Sequence, residues 1–343
     1  MTNLNRRDFL KLSGAALTSA AFKWPDPDDP KSTIPIRLGR VTEHRLWAYR
    51  DPQPNAAREY VFGRDDVLAI YDTIRTEGLL AHNPVWNLTK YGWVYSSWVQ
   101  PVENVLNEAE RHVPKKGFWA QVSVPYAIMR VAPDDKAASL YRLYYSSVHL
   151  VIDVIRDGQG AFWYQLKDDE YPTRREFVRA ETLRRIDPRE LTPLSPRAAD
   201  KRIEVSVKDQ MLWAYEGDSL VYQAQCATGT MFTIEGVGLV DFTTPTGEHT
   251  VVRKRPSRHM RGFEGRPDAY DLPGVPYCTY FTQAGAAVHG AYWHNDFGRP
   301  RSHGCVNVPP QVAQWVYRWS MPAAAYDDAL LMVEEGGTPI IVT

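Results

Sequence analysis

The sequence predicts a mainly β protein: two small, partly open β-barrels, then a larger β-rich unit with one short helix near its C-terminal end. Three observations carry this prediction. Short alternating apolar runs bounded by Gly, Pro, Asn and Asp recur along most of the chain, the period-2 pattern of half-buried strands. A shift of 81 positions brings Pro52 onto Pro133, Ala57 onto Ala138, Tyr60 onto Tyr141, Val67 onto Val148, Asp72 onto Asp153, Ile74 onto Ile155 and Arg75 onto Arg156. From Lys201 the pattern changes to a meander, with runs at Arg202–Val207, Met211–Tyr215 and Leu220–Tyr222 separated by Lys208-Asp209-Gln210 and Glu216-Gly217-Asp218. At roughly 100–200 residues per domain, 343 residues suit two or three domains.

Within the repeat, Val67–Tyr71 and Val148–Ile155 read as strands, and Asp157-Gly158-Gln159-Gly160 as the turn after the second. Slightly out of phase, Trp86-Asn87-Leu88 matches Trp163 to Leu166. The two copies, 36–106 and 118–198, resemble bacterial SH3-like modules. Asn104–His112 is the one helical candidate between them. The 11 Trp and 19 Tyr suit either small-barrel cores or aromatic grooves that hold wall polymer. Pro188, Pro193 and Pro196 mark the linker to the last unit, 200–343. There Thr244-Pro245-Thr246-Gly247 precedes a strand at His249–Arg253, Pro309 opens a helix through Trp319, and Thr338–Thr343 closes with a strand.

The N-terminal residues read as an address. Asn5-Arg6-Arg7-Asp8-Phe9-Leu10-Lys11, a short apolar stretch and small residues to Ala21 resemble a twin-arginine export signal over 1–24. Residues 25–35, rich in proline, read as an extended linker. The apolar stretch is well short of the roughly 20 residues a spanning helix needs, so no transmembrane span is expected in the mature chain. The resulting location is extracytoplasmic, in the periplasm or cell wall. A formal net charge of −1 offers no basic surplus for phosphates, which argues against nucleic acid as a partner.

The chemistry sits between Ala287 and Asn307. A cysteine attacks as its thiolate, and a free thiol is mostly protonated at neutral pH. A nearby imidazole can take that proton and form a thiolate–imidazolium pair. His289 ends a strand, Cys305 follows a glycine turn, and the loop between His289 and Ser302 is long enough to bring them together. Gly304 permits positive φ beside the nucleophile, and peptide N–H groups there suit an oxyanion. Thiol, base and backbone donors together imply acyl transfer.

At these residues the chain resembles the L,D-transpeptidase catalytic domain, the YkuD family. That family's pattern is a His, a loop, then Ser/Thr-His-Gly-Cys, an apolar residue and Asn or Arg. Here the matching residues are His289 and Ser302-His303-Gly304-Cys305-Val306-Asn307. Thr244–Gly247 resembles the family's Thr-Pro-x-Gly turn, whereas Met231–Val240 has no counterpart. The resemblance implies Cys305 as nucleophile and His289 as base, with the Gly290 carbonyl orienting the imidazole. It implies His303, Gly304 and Cys305 around the oxyanion, and Ser302 as a brace. It also implies a stem tetrapeptide of peptidoglycan as acyl donor, release of D-Ala, a thioester, and an amine acceptor. Acylation by carbapenems follows, and no cofactor is implied. The loop 290–301, with Tyr292, Trp293, His294, Arg299 and Arg301, looks like a substrate-facing lid.

Several other readings compete. Water as acceptor gives an L,D-carboxypeptidase. Two SH3-like copies alone fit a noncatalytic wall-binding protein. His289, His294, His303 and Cys305 have donors that suit zinc, but His303-Gly304-Cys305 is too tight for common zinc spacing, so no metal is expected. Papain-like peptidases place the Cys far before the His. Cys226 and Cys278 suit either buried inert thiols or a disulfide.

Overall fold

The computed structural model describes residues 34–343. The expected export signal and most of the 25–35 linker lie outside the described residues. The first unit contains β1 (Arg37–Val41), β2 (Arg45–Tyr49), β3 (Arg58–Gly63), β4 (Val67–Ile70), β5 (Asp72–Leu80), β6 (Asn83–Thr89), β7 (Gly92–Tyr95) and β8 (Val99–Val102). The second contains β9 (Phe118–Val122), β10 (Tyr126–Arg130), β11 (Ser139–Tyr144), β12 (Val148–Arg156), β13 (Phe162–Lys167), β14 (Glu176–Arg179) and β15 (Leu183–Arg185). The starts of β9 to β12 fall 81 residues after those of β1 to β4, and the starts of β14 and β15 fall 84 after β7 and β8. The sheet order β11-β10-β14-β13-β12-β9-β15 reproduces β3-β2-β7-β6-β5 and β4-β1-β8 strand for strand. The difference is that β12 is continuous, whereas its counterpart breaks at Tyr71 into β4 and β5. The repeat is therefore a repeat of topology.

Much of the aromatic content goes inside these small barrel-like sheets. Trp86 is fully buried and meets Tyr49 and Tyr95 edge-on, with ring centroids 5.4 and 5.5 Å apart. Phe118 meets Tyr164 likewise at 5.5 Å. Such small cores need large side chains to bury enough apolar area.

The helix expected over 104–112 does not form. Its backbone bonds outward instead: Val105 N donates to Ser123 O, Asn107 N to Glu181 O, and Glu110 N to the Tyr164 hydroxyl. Leu106, Ala109 and Val113 pack on the second core, so their helix-like spacing serves an extended crossing.

The third unit contains β16 (Lys201–Ser206), β17 (Met211–Glu216), β18 (Ser219–Gln225), β19 (Met231–Ile234), β20 (Gly238–Asp241), β21 (Gly247–Thr250), β22 (Arg253–Gly262), β23 (Tyr270–Tyr280), β24 (Ala287–Gly290), β25 (Val306–Val308), α1 (Pro310–Trp319), β26 (Leu331–Met332) and β27 (Pro339–Val342). Two five-stranded sheets, β18-β17-β16-β27-β21 and β25-β24-β23-β22-β26, enclose the main core. Pro310 starts α1, where a missing N–H costs nothing, and Val312, Ala313, Val316, Tyr317 and Trp319 turn inward. Among the described residues, no helix is long and apolar enough to cross a membrane.

The three units are packed together. His259 on β22 lies between Asp168, 2.6 Å from its Nδ1, and Asp271. Arg142 of the second unit meets Asp65 of the first.

Candidate active site

β24 and β25 run parallel, with Val288 opposite Val306 and His289 opposite Asn307. Val288 and Val306 face the main core. Side chains alternate along a strand, so His289, Asn307 and Cys305, one residue before Val306, belong to the opposite face. Cys305 accordingly packs with a separate cluster containing Val275, Ala287, Tyr292 and Trp293. The strand pairing thus brings thiol and imidazole to one face, although sixteen positions separate them in sequence.

His289 is 2% exposed. Its Nδ1 lies 3.3 Å from the Gly290 carbonyl, which assigns the proton to Nδ1 and leaves Nε2 as acceptor. The Trp293 ring lies 5.7 Å away. Burial pulls the imidazole down to about 4, against a weaker upward pull from the Gly290 carbonyl. Burial pushes the Cys305 thiol up to about 11. Both shifts disfavour charge and so favour the neutral forms in this arrangement, whereas the sequence suggests an ion pair. The geometry agrees: Cys305 Sγ points to Gly285 O at 3.8 Å, and no hydrogen bond joins it to His289. Alkylation of Cys305 by iodoacetamide is therefore expected to rise about tenfold per pH unit between 7 and 9. A plateau already reached near pH 7 would indicate a resting thiolate instead.

The motif is held from within. Ser302 Oγ donates to Cys305 O and accepts from Gly304 N at 3.2 Å. Gly304 has φ +111°, a conformation that strongly favours glycine. A Cβ on Gly229 would come within 2.9 Å of the Gly304 Cα and closer still to Phe242 O, so the two glycine backbones pack closely. The Gly229 strip is in turn fixed by Thr244 Oγ1, which accepts from Gly229 N at 2.8 Å, and by Gln210, which bonds Thr228 at both its amide atoms. Arg301 N and Ser302 N donate to Thr228 O at 2.8 and 2.9 Å.

His303 leaves the motif sideways into an aromatic cage. Its ring stacks on Phe232 at 4.7 Å and 12°, with Phe242, Phe263 and Tyr270 around it. Phe232 lies on β19 of the β19–β20 hairpin, within the segment that matched nothing in the family pattern. The four aromatics around His303 were missed from sequence, because residues scattered from 232 to 270 carry no local signal of a shared cage. Asp268 lies 3.8 Å from His303 Nε2, and desolvation lowers the His303 pKa.

In the loop after Gly290, expected from sequence to face substrate, several side chains turn inward. Tyr292 is buried, its hydroxyl donating to Pro273 O at 2.7 Å. His294 is buried, and its Nδ1 accepts from Asp296 N at 3.2 Å. That places the proton on Nε2, which lies 3.1 Å from Asn307 Nδ2; two donors cannot bond, so the Asn307 amide is assigned in its flipped orientation, with Oδ1 accepting. Arg299 and Arg301 both bond the buried Asp296 carboxylate. Trp293, half-buried beside His289, is the loop residue closest to the chemistry.

Among the described residues, no group of His, Cys, Asp and Glu side chains is arranged to hold a metal ion. Cys226 and Cys278 are buried and unpaired, not joined in the disulfide considered above. Burial pushes the first up to about 12 and the second well above the ordinary thiol range.

No curated protein matches the chain. Solved structures similar to it include the avibactam carbamoyl enzyme of Ldtfm, at 26% identity over 42% of this chain and 49% of that one, with a TM-score of 0.32. A mutant of the Enterococcus faecium L,D-transpeptidase matches at 24% over 42% and 50%, with a TM-score of 0.32. An L,D-transpeptidase from Xylanimonas cellulosilytica matches at 25% over 44% and 63%, with a TM-score of 0.31. The chain thus spans about half the length of the first two. Residues 200–342, which contain every element of the candidate site, match the family model YkuD, the L,D-transpeptidase catalytic domain.

Proposed function

We propose that the protein is a peptidoglycan L,D-transpeptidase that works through a Cys305 thioester. The observation that carries this reading is the His289 ring, fixed by Gly290 with Nε2 as acceptor on the face that Cys305 shares. The step requires Sγ to leave Gly285 O and turn to Nε2. As sulfur attacks the carbonyl of the L-centred diaminoacid residue, its proton passes to Nε2. The tetrahedral oxyanion is met by peptide N–H groups of His303 and Cys305, since the Gly304 N–H is held by Ser302. Collapse breaks the bond to D-Ala, which leaves as an amine with the proton from His289. An acceptor amine then attacks the thioester, gives its proton to His289, and frees the thiol as a cross-link forms.

Muropeptide analysis by mass spectrometry tests this. Incubation with tetrapeptide-bearing wall should yield direct cross-links between diaminoacid residues. Tripeptides alone would assign water as the acceptor, and unchanged muropeptides would contradict the thioester reading.

The wall is also the proposed location, reached by the twin-arginine route. The SH3-like copies are proposed to hold it through Tyr60 and Tyr91, which stack at 4.1 Å and 8° on the surface of the first unit. Wall retention by the full chain should fall several-fold in a Tyr60→Ala, Tyr91→Ala variant, and equal retention would leave the barrels as spacers.

A further inference from the structure

We propose that the first N-terminal unit is a positioning element of the catalytic centre, acting through Glu43 and His82 on the loop that delivers Ser302 to Cys305. This rests on the reading of Cys305 as nucleophile. Asp296, in the middle of that loop, is 0% exposed. His82 Nε2 donates to its Oδ1 at 2.8 Å, and Arg301 Nη1 to its Oδ2 at 2.9 Å, with Arg299 on the same oxygen. The other arm of Arg301, Nη2, donates to Glu43 Oε1 at 3.1 Å. Asn295 donates to Ser96 O and Ser97 O at 3.1 and 3.3 Å. Arg40, 2% exposed between Asp65, Gln100 and the Tyr144 ring, donates to Tyr292 O at 2.7 Å.

Five side chains or backbone segments of the first unit therefore hold a loop of the third. The hold reaches the chemistry by a short path. Arg301 directly precedes Ser302, and Ser302 Oγ fixes the Cys305 carbonyl. A buried carboxylate stripped of a donor is costly and re-forms its contacts elsewhere, which shifts Arg301 and the brace after it. Small misplacements of a reacting atom cost large factors in rate. The basic loop thus has a use distinct from substrate contact: it is the socket for a module more than 200 positions earlier.

The test uses the full chain. Glu43→Ala with His82→Leu removes both side-chain holds on the Asp296–Arg301 pair and touches neither the thiol nor the imidazole. Carbapenem acylation is resolved into a noncovalent binding constant and a maximal acylation rate constant. The double variant is expected to lower the rate constant ten- to hundredfold and leave binding within about twofold. Glu43→Asp with His82→Gln, which retains an acceptor and a donor, should recover most of the rate. Amide hydrogen exchange should speed up in 291–304 and stay unchanged in β16 and β22. An unchanged rate constant with unchanged exchange overturns the proposal, as does a rate loss matched by a global fall in thermal stability. If the wild type takes no carbapenem, the Cys305 reading fails by itself, and the exchange experiment decides the positioning: faster exchange confined to 291–304 supports it and unchanged exchange overturns it.

Discussion

Replacing Cys305 by alanine is expected to cut release of D-alanine from a stem tetrapeptide by at least about a thousandfold. The covalent step has no other sulfur to use. Cys226 and Cys278 are buried, and burial holds both thiols protonated far above neutral pH. Cys305 alone among the three is partly exposed. Its environment also raises its pKa, so the reaction depends on a proton acceptor placed for the moment of attack. The fold need not suffer, because the side chain removed is small and lies outside the main core. Release of D-alanine, followed with melting temperature as a control, checks this. Near wild-type turnover by Cys305→Ala would move the nucleophile elsewhere.

The second large effect is at His289. His289→Ala should slow acylation by about 10²- to 10⁴-fold, the usual contribution of a placed general base. No second imidazole stands ready to replace it. His303 is held among Phe232, Phe242, Phe263 and Tyr270, and His294 is bonded to Asn307 and the Asp296 backbone. The pH profile carries a further signature. The imidazole, pulled down to about 4, stays neutral and able to accept a proton across the physiological range. Acid therefore inhibits the wild type only as pH falls toward 4, where His289 gains its proton. In His289→Ala the residual rate should instead follow hydroxide, rising steadily as the thiol ionises. Single-turnover acylation across pH separates the two, and an acid limb unchanged in His289→Ala would assign the base to another group.

How much of this was legible beforehand depends on the range of the interactions concerned. The strand repeat shows in the sequence because each strand writes its own period-2 pattern, and because Val67 and Val148 begin equivalent strands. The turn at Gly304 shows because positive φ favours one residue type. The α1 boundary shows to within one residue: Pro309, expected to open the helix, is its N-cap and Pro310 its first residue. Residues 104–112 misled for the opposite reason. Leu106, Ala109 and Val113 have helical spacing, yet hydrogen bonds to Ser123, Glu181 and Tyr164 decide the backbone, and those partners lie up to 74 positions away. The site follows the same division. His289, Ser302, Gly304 and Cys305 form a local signature. Phe232 and Phe242 become a cage only once β19 and β20 fold over His303. Arg299 and Arg301 read as substrate-facing cations, because the buried Asp296 and the distant Glu43 and His82 that bond them are not visible as neighbours in sequence. A charged loop is ambiguous in sequence, because substrate and neighbouring domain call for the same side chains.

The central claim is that an imidazole-assisted Cys305 thiolate forms a covalent acyl-enzyme. Intact mass after incubation with a carbapenem tests it most directly. The wild type should gain one equivalent, mapped to Cys305 by peptide analysis, and Cys305→Ala should gain none over the same time. A wild type that stays unmodified, or a Cys305→Ala variant that takes up the same mass, would contradict the account.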